Sequence, residues 1–166
     1  MKNTSNIHIT SIDTAITPAK LKAEFPITDK ASETVFESRR VINRILTGED
    51  KRILAIVGPC SIHSTESALE YAGKLLRLKE AYSERIYIAM RVYFEKPRTT
   101  IGWRGLIIDP ELNGSYNINA GLREARKLLV RITEAGLPTA SEMLDPIIPQ
   151  FIADLISWAS VGARTT

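Results

Sequence analysis

The sequence predicts an α/β fold built on a parallel sheet. Three observations predict it. From Ala31 onward, segments with helical periodicity alternate with short β-prone runs. The connections between those runs are long enough to be crossovers, which joins neighbouring strands in parallel. The notable polar residues fall directly after the runs: Cys60 after the first, Arg91 to Thr99 after the second, Glu142 after the third and Arg164 after the fourth. Active sites of α/β proteins gather at that end of the strands.

Met1 to about Lys30 is polar and interrupted by Pro18 and Pro26. It reads as an N-terminal extension with one short helix after Thr17, where Pro18 suits a first helical position. His8, between Ile7 and Ile9, reads as an ordinary side chain of an extended arm. Ala31 to Thr47 reads as a helix with Val35, Ile42, Ile45 and Leu46 roughly on one face and Gly48 as its stop. Ile53 to Val57 reads as a buried strand that breaks at Gly58-Pro59. Ser64 to Lys79 reads as a second helix, with Ala68, Leu69, Ala72, Leu75 and Leu76 on one side and Glu66 in its first turn.

Ile86 to Val92 is the second predicted strand. A loop of more than 20 residues follows, a length that tends to be functional. Asn117 or Asn119 caps the next helix, whose buried face carries Leu122, Ala125, Leu128, Leu129 and Ile132 and which ends at Gly136. Pro138 to Ser141 reads as a third strand, Pro149 to Ile156 as a third crossover helix, and Trp158 to Val161 as a fourth strand. Trp103 and Trp158 read as packing residues. Neither a glycine-rich dinucleotide fingerprint nor a P-loop occurs, which counts against a nucleotide-binding open sheet and favours a barrel.

The composition, 44% hydrophobic and 25% charged over 166 residues, is that of one globular domain large enough to bury a core. The net charge of +3 is too mild for an extended nucleic-acid surface. No run of about 18 apolar residues suggests a membrane span. The N-terminus lacks the apolar core of a signal peptide. One cysteine rules out an internal disulfide, and a cytoplasmic location fits.

The stretch from Arg91 to Arg104 carries four cations (Arg91, Lys96, Arg98, Arg104), one acid (Glu95) and two threonine hydroxyls. Guanidinium forks and an ammonium suit the oxygens of phosphate and carboxylate groups. On this stretch alone, a site for a small anion and a solvated basic loop are both open. The longer motif MRVYFEKPRTTIGWRGLIIDP, Met90 to Pro110, resembles the microbial-type (class I) 3-deoxy-D-arabino-heptulosonate 7-phosphate (DAHP) synthases. GPCSIH at Gly58 to His63 and GARTT at Gly162 to Thr166 resemble the same family, and the likeness runs from about Asn6 to the last residue.

The resemblance implies a (β/α)8 TIM barrel of which the chain holds an N-terminal extension (residues 1–30, a regulatory and oligomerisation arm) and about the first four βα units (residues 31–166). It implies a transferase of the shikimate pathway to aromatic amino acids. Phosphoenolpyruvate, erythrose 4-phosphate and water become DAHP and phosphate. It implies a divalent metal (Mn, Fe, Zn or Co) with Cys60 as one ligand, the other ligands lying outside these residues. Arg91, Lys96 and Arg164 match phosphoenolpyruvate positions. Arg98 and Thr99, with Pro97 shaping the turn, match erythrose 4-phosphate positions, and Ala163 completes the substrate-binding candidates. Lys96 and Glu142 are the catalytic candidates, and Glu142 serves either a lysine or water or, structurally, a buried cation. His63 is not a ligand by this likeness; it orients its loop or caps the helix after Ser64.

A feedback inhibitor, an aromatic amino acid, and a homo-oligomer are also implied, with no nucleic-acid or membrane partner. Asp145, Pro149 and Gln150 are the allosteric candidates. Pro149 and Gln150 look like the phenylalanine or tyrosine forms. Asp109 to Tyr116 and Phe151 to Trp158 look like the tryptophan form, so the effector stays open. The competing expectation is an inactive truncated remnant that binds a small anion or a full-length partner. A phosphate-sugar aldolase fits less well, because none of the predicted strands holds a Schiff-base lysine. By itself the 166-residue chain is expected to be inactive and unstable or aggregating, its last strand an unpaired edge.

Overall fold

The structure is a computed structural model that describes residues 4–9, 12–98 and 101–162. Helix α1, Pro18–Glu24, starts where Thr17 accepts a hydrogen bond from the Lys20 amide at 3.3 Å and Pro18 takes the first turn. Helix α2, Asp29–Leu46, begins two residues earlier than expected, because the Thr28 hydroxyl accepts from the Ala31 amide. It ends at Thr47 and Gly48, the latter at φ +79°. Val35 and Ile42 are buried, whereas Leu46, the last helical residue, is 56% exposed.

Four parallel strands follow in the spatial order of the sequence: β1 Ile53–Val57, β2 Ile86–Arg91, β3 Thr139–Met143 and β4 Trp158–Val161. Helix α3, Thr65–Ala81, connects β1 to β2 and is capped by Ser64 rather than His63. Helix α4, Ile118–Glu134, connects β2 to β3 and is capped by Asn117. Asn119 does something else: its side chain accepts from the Ile16 amide at 2.7 Å and donates to the Thr14 carbonyl, pinning the N-terminal segment. The third crossover is shorter than expected. One turn of α-helix, α5 Pro149–Ile152, gives way to a 3₁₀ turn, Ala153–Leu155. Strand β3 is longer than expected, so Glu142 lies within it, opposite Ser160 of β4.

The core sits between β2, β3 and helices α3 and α4. Ile88, Met90, Leu122, Ala125, Leu128, Leu129 and Ile132 are buried there with Ala68, Ala72 and Leu75. Each large apolar side chain removed from water stabilises the fold by about 1.5–3 kcal/mol. Leu21 of α1 is fully buried in the same core. Strand β1 overturns the expectation of burial: Ile53 is 68% exposed, and Ile56 and Val57 are also exposed. Trp158, read as packing, is 38% exposed on β4. Both strands are edges of this sheet with a neighbour on one side only, which leaves their apolar side chains uncovered. Among the described residues, no helix is long and apolar enough to cross a membrane.

Candidate active site

The C-terminal ends of β1 and β2 are held together by close backbone contact. Val57 is in register with Met90, which sets Gly58 beside Arg91. A Cβ at Gly58 would meet the Arg91 carbonyl oxygen at 2.4 Å and its Cβ at 2.9 Å, so only glycine fits. The Arg91 side chain then folds back over the turn. Its Nε donates to the Pro59 carbonyl at 3.1 Å and an Nη to the Gly58 carbonyl at 3.0 Å.

Lys96 reaches the same turn. Its ammonium donates to the Cys60 carbonyl and to Cys60 Sγ, the latter at 3.1 Å. That hydrogen bond and the charge of Lys96 hold the exposed Cys60 thiol below its ordinary value, with Arg91 and Arg98 adding to the pull. Pro97 follows Lys96 in the chain, and the exposed Arg98 side chain donates to the Trp103 carbonyl at 3.3 Å.

The loop that carries these cations is folded, not free. Phe94, Leu106 and Ile107 are buried in the core, and the Lys96 amide donates to the Arg104 carbonyl. Trp103 Nε1 donates to the Asp109 carbonyl at 2.6 Å, and the buried Asp109 carboxylate accepts from the Gly114 amide. The apolar residues of this stretch are thus anchored, while Arg98 and Arg104 remain exposed.

Charge separates the two ends of the sheet. At the N-terminal end, Arg52 is neutralised by Asp50 at 2.6 Å, and its hydrogen bonds pull the Asp50 carboxyl down to about 2. At the C-terminal end, Arg91, Lys96 and Arg98 have no carboxylate partner among the described residues. Their donors meet neutral carbonyls and one sulfur. Three cations without a carboxylate partner among the described residues, at one strand end, are suited to an anion.

Glu142 stands on β3. Arg91 is in register with Ala140, so Glu142, two residues on, shares a face of the sheet with Arg91. It forms no ion pair with the three cations among the described residues. A side chain at Gly162 would meet Leu144 Cδ2 at 2.2 Å and Glu142 Oε1 at 3.3 Å, so glycine lets the chain leave β4 beside that carboxylate. Thr99, Ala163 and Arg164 lie outside the described residues. The allosteric candidates lie further along: Asp145 accepts from the Ile147 and Ile148 amides, forming a tight turn into α5, which carries Pro149 and Gln150.

Sequence reasoning passed over Tyr93. Its ring lies 5.1 Å from the Arg91 guanidinium and 5.6 Å from the Lys96 ammonium. Its placement between the two cations in the chain was the signal that could have found it.

A profile described as the DAHP synthetase I family matches residues 21–166. The chain belongs to that family. It is 54% identical over all of its 166 residues to a Trp-sensitive phospho-2-dehydro-3-deoxyheptonate aldolase of Escherichia coli O157:H7, and covers 48% of that protein. The Trp-sensitive relative of Buchnera aphidicola subsp. Schizaphis graminum is 52% identical with the same coverage. The solved structure of a phospho-2-dehydro-3-deoxyheptonate aldolase from Francisella tularensis SCHU S4 superposes with a TM-score of 0.91 at 50% identity, over 94% of this chain and 46% of that one. This member of the DAHP synthetase I family thus spans about half the length of the curated relatives it matches, and its four strands form half of the TIM barrel expected from its sequence.

Proposed function

We propose that the chain supplies the N-terminal half of the active site of a DAHP synthase. The reaction joins phosphoenolpyruvate to erythrose 4-phosphate with water, giving DAHP and inorganic phosphate. One observation carries the reading: Arg91 and Lys96 converge on the Gly58–Cys60 turn without a carboxylate partner among the described residues. Both substrates are anions, so bringing them together requires cations that are not already neutralised.

Arg91, with Arg164 and Ala163, holds the phosphate and carboxylate of phosphoenolpyruvate. Lys96 joins Arg91 in binding phosphoenolpyruvate, and Arg98 and Thr99, with Pro97 shaping the turn, hold erythrose 4-phosphate. The new carbon–carbon bond forms between the terminal methylene carbon of phosphoenolpyruvate and the aldehyde carbon. Negative charge then grows on the aldehyde oxygen, and in this reading Lys96 is the cation that stabilises it. Glu142 holds a water or the lysine. Water adds to the carbon that bears the phosphate ester, and loss of inorganic phosphate from that carbon leaves the ketone of DAHP.

Cys60 fits the role of metal ligand. Its sulfur is exposed and biased towards thiolate by Lys96, which suits a borderline or softer divalent ion. No group of three or more His, Cys, Asp or Glu side chains able to hold a metal occurs among the described residues; in this reading Cys60 supplies one donor and the remaining ligands come from outside the described residues. When bound, the metal supplies Lewis acidity towards a carbonyl oxygen.

Tryptophan is the proposed effector, following the Trp-sensitive relatives, with Asp145, Pro149 and Gln150 near its pocket. Residues 1–30 act as a regulatory and oligomerisation arm on a catalytic unit spanning 31–166, in a cytoplasmic homo-oligomer.

The test is DAHP formation by the full-length protein. Arg91→Ala and Arg164→Ala each lower phosphoenolpyruvate use by roughly 100-fold or more, since each leaves anionic oxygens unpaired. Cys60→Ala abolishes metal-dependent turnover. Wild-type kinetics in both arginine variants would sink the anion assignment; full activity of the cysteine variant without bound metal would sink the ligand role.

A further inference from the structure

We infer that Tyr93 is a positioning residue for the anion site, its ring a shared platform that holds Arg91 and Lys96 in their ligand-ready places. The inference rests on the anion-site reading above and adds a residue which that reading leaves out.

Both cations lie within the ~6 Å over which an aromatic face attracts a positive charge. Both also donate to the Gly58–Cys60 turn, Arg91 to the Gly58 and Pro59 carbonyls and Lys96 to the Cys60 carbonyl. The Tyr93 backbone is tied to the continuation of that turn, its carbonyl accepting from the Ile62 amide at 2.9 Å and from Ser61 Oγ at 3.2 Å. On either side of Tyr93, Val92 and Phe94 are buried, and the Val92 amide donates to the Ala140 carbonyl of β3. The ring therefore has a fixed mount. The turn is one wall of the cradle and the ring is the other.

Such a platform answers a specific electrostatic difficulty. Two like charges near one another repel, and no carboxylate among the described residues is paired with either. Long flexible side chains under that repulsion would otherwise swing into water and lose freedom again on each binding event. The negative face of a half-buried ring attracts both cations while the ligand is away, and its neutrality leaves their charge free for the ligand. A carboxylate in its place would hold them more tightly but compete with the anion.

The experiment uses the full-length protein and phosphoenolpyruvate as the probe, with affinity measured by calorimetry and folding checked by thermal denaturation. Tyr93→Phe keeps the ring face, and its affinity stays within about twofold of wild type. Tyr93→Leu removes the face and weakens binding by about tenfold. Replacing Tyr93 by phenylalanine and then by trifluorinated phenylalanine keeps the shape while draining the negative face. Affinity falls between those two variants, an effect that a purely structural role does not produce, and this pair serves if the leucine variant fails to fold. Arg91→Ala separates the two levels of the reading. If it loses binding while Tyr93→Leu or the fluorinated variant binds as wild type does, the platform is wrong and the anion site stands. If Arg91→Ala also binds normally, the anion site itself falls. A Tyr93→Phe variant as weak as Tyr93→Leu would overturn the platform in favour of the hydroxyl.

Discussion

Gly58 and Lys96 show how single residues set this site. At Gly58 the backbone of β1 passes so close to Arg91 that an added Cβ would lie 2.4 Å from a carbonyl oxygen. Gly58→Ala must push the strands apart, and it is expected to cost about 1–3 kcal/mol in thermal or denaturant unfolding and to weaken phosphoenolpyruvate binding by displacing Arg91. Lys96 controls the state of Cys60. Its hydrogen bond and charge hold the thiol below its ordinary value, so Lys96→Met raises that value and slows alkylation by iodoacetamide near neutral pH. An unchanged pH–rate profile of alkylation would show that the ammonium does not reach the sulfur. Cys60, Arg91 and Lys96 were legible in the sequence as residue types following apolar runs. Their mutual contacts were not, because they join segments more than 30 residues apart.

At the scale of elements, the junction of α4 and α5 depends on one buried charge. Arg126 is 1% exposed; its guanidinium donates to the Phe25 and Phe151 carbonyls and pairs with Asp154 at 2.9 Å. Burial pushes the Asp154 carboxyl up, but hydrogen bonds and charge from Arg126, with help from Lys22, outweigh it and hold the group below its ordinary value. A carboxyl depressed in the folded state contributes stability that is present above its unfolded-state value and lost as pH falls through the folded-state one. Stability should therefore decline below about pH 4, and Asp154→Asn should remove part of that decline. At neutral pH the same variant is expected to cost about 2 kcal/mol, because Arg126 stays buried without its counter-ion while Asp154 itself is partly solvated. Chemical denaturation at pH 7 and at pH 4 checks both parts. Helix starts were legible because Thr17, Ser64 and Asn117 act through amides three residues away. The short α5 and the longer β3 were not, since a composition of Pro, Ile and Asp is read differently once Asp145 closes its own turn and β4 pairs with β3.

For the whole molecule the governing feature is two open sheet edges. Among the described residues, strands β1 and β4 each have one neighbour, and neither carries a charged or proline residue that would blunt it. The 166-residue chain expressed by itself is therefore expected to self-associate, and Val161→Lys, on a residue 90% exposed, is expected to reduce that association. Size-exclusion chromatography with light scattering checks it. A monodisperse monomer with a cooperative thermal transition would refute the expectation.

The sequence by itself determined the order of the elements, their parallel arrangement, the strand ends that carry the polar residues, and the family. Periodicity, caps and a long motif are local signals, and local signals survive being read one residue at a time. Only the tertiary structure decided that β1 lies at an exposed edge, that Phe94, Leu106 and Ile107 anchor the basic loop in the core, and that the Tyr93 ring lies against both Arg91 and Lys96. Those facts depend on which segments become neighbours, and neighbour contacts set burial and charge pairing in ways that no single segment encodes.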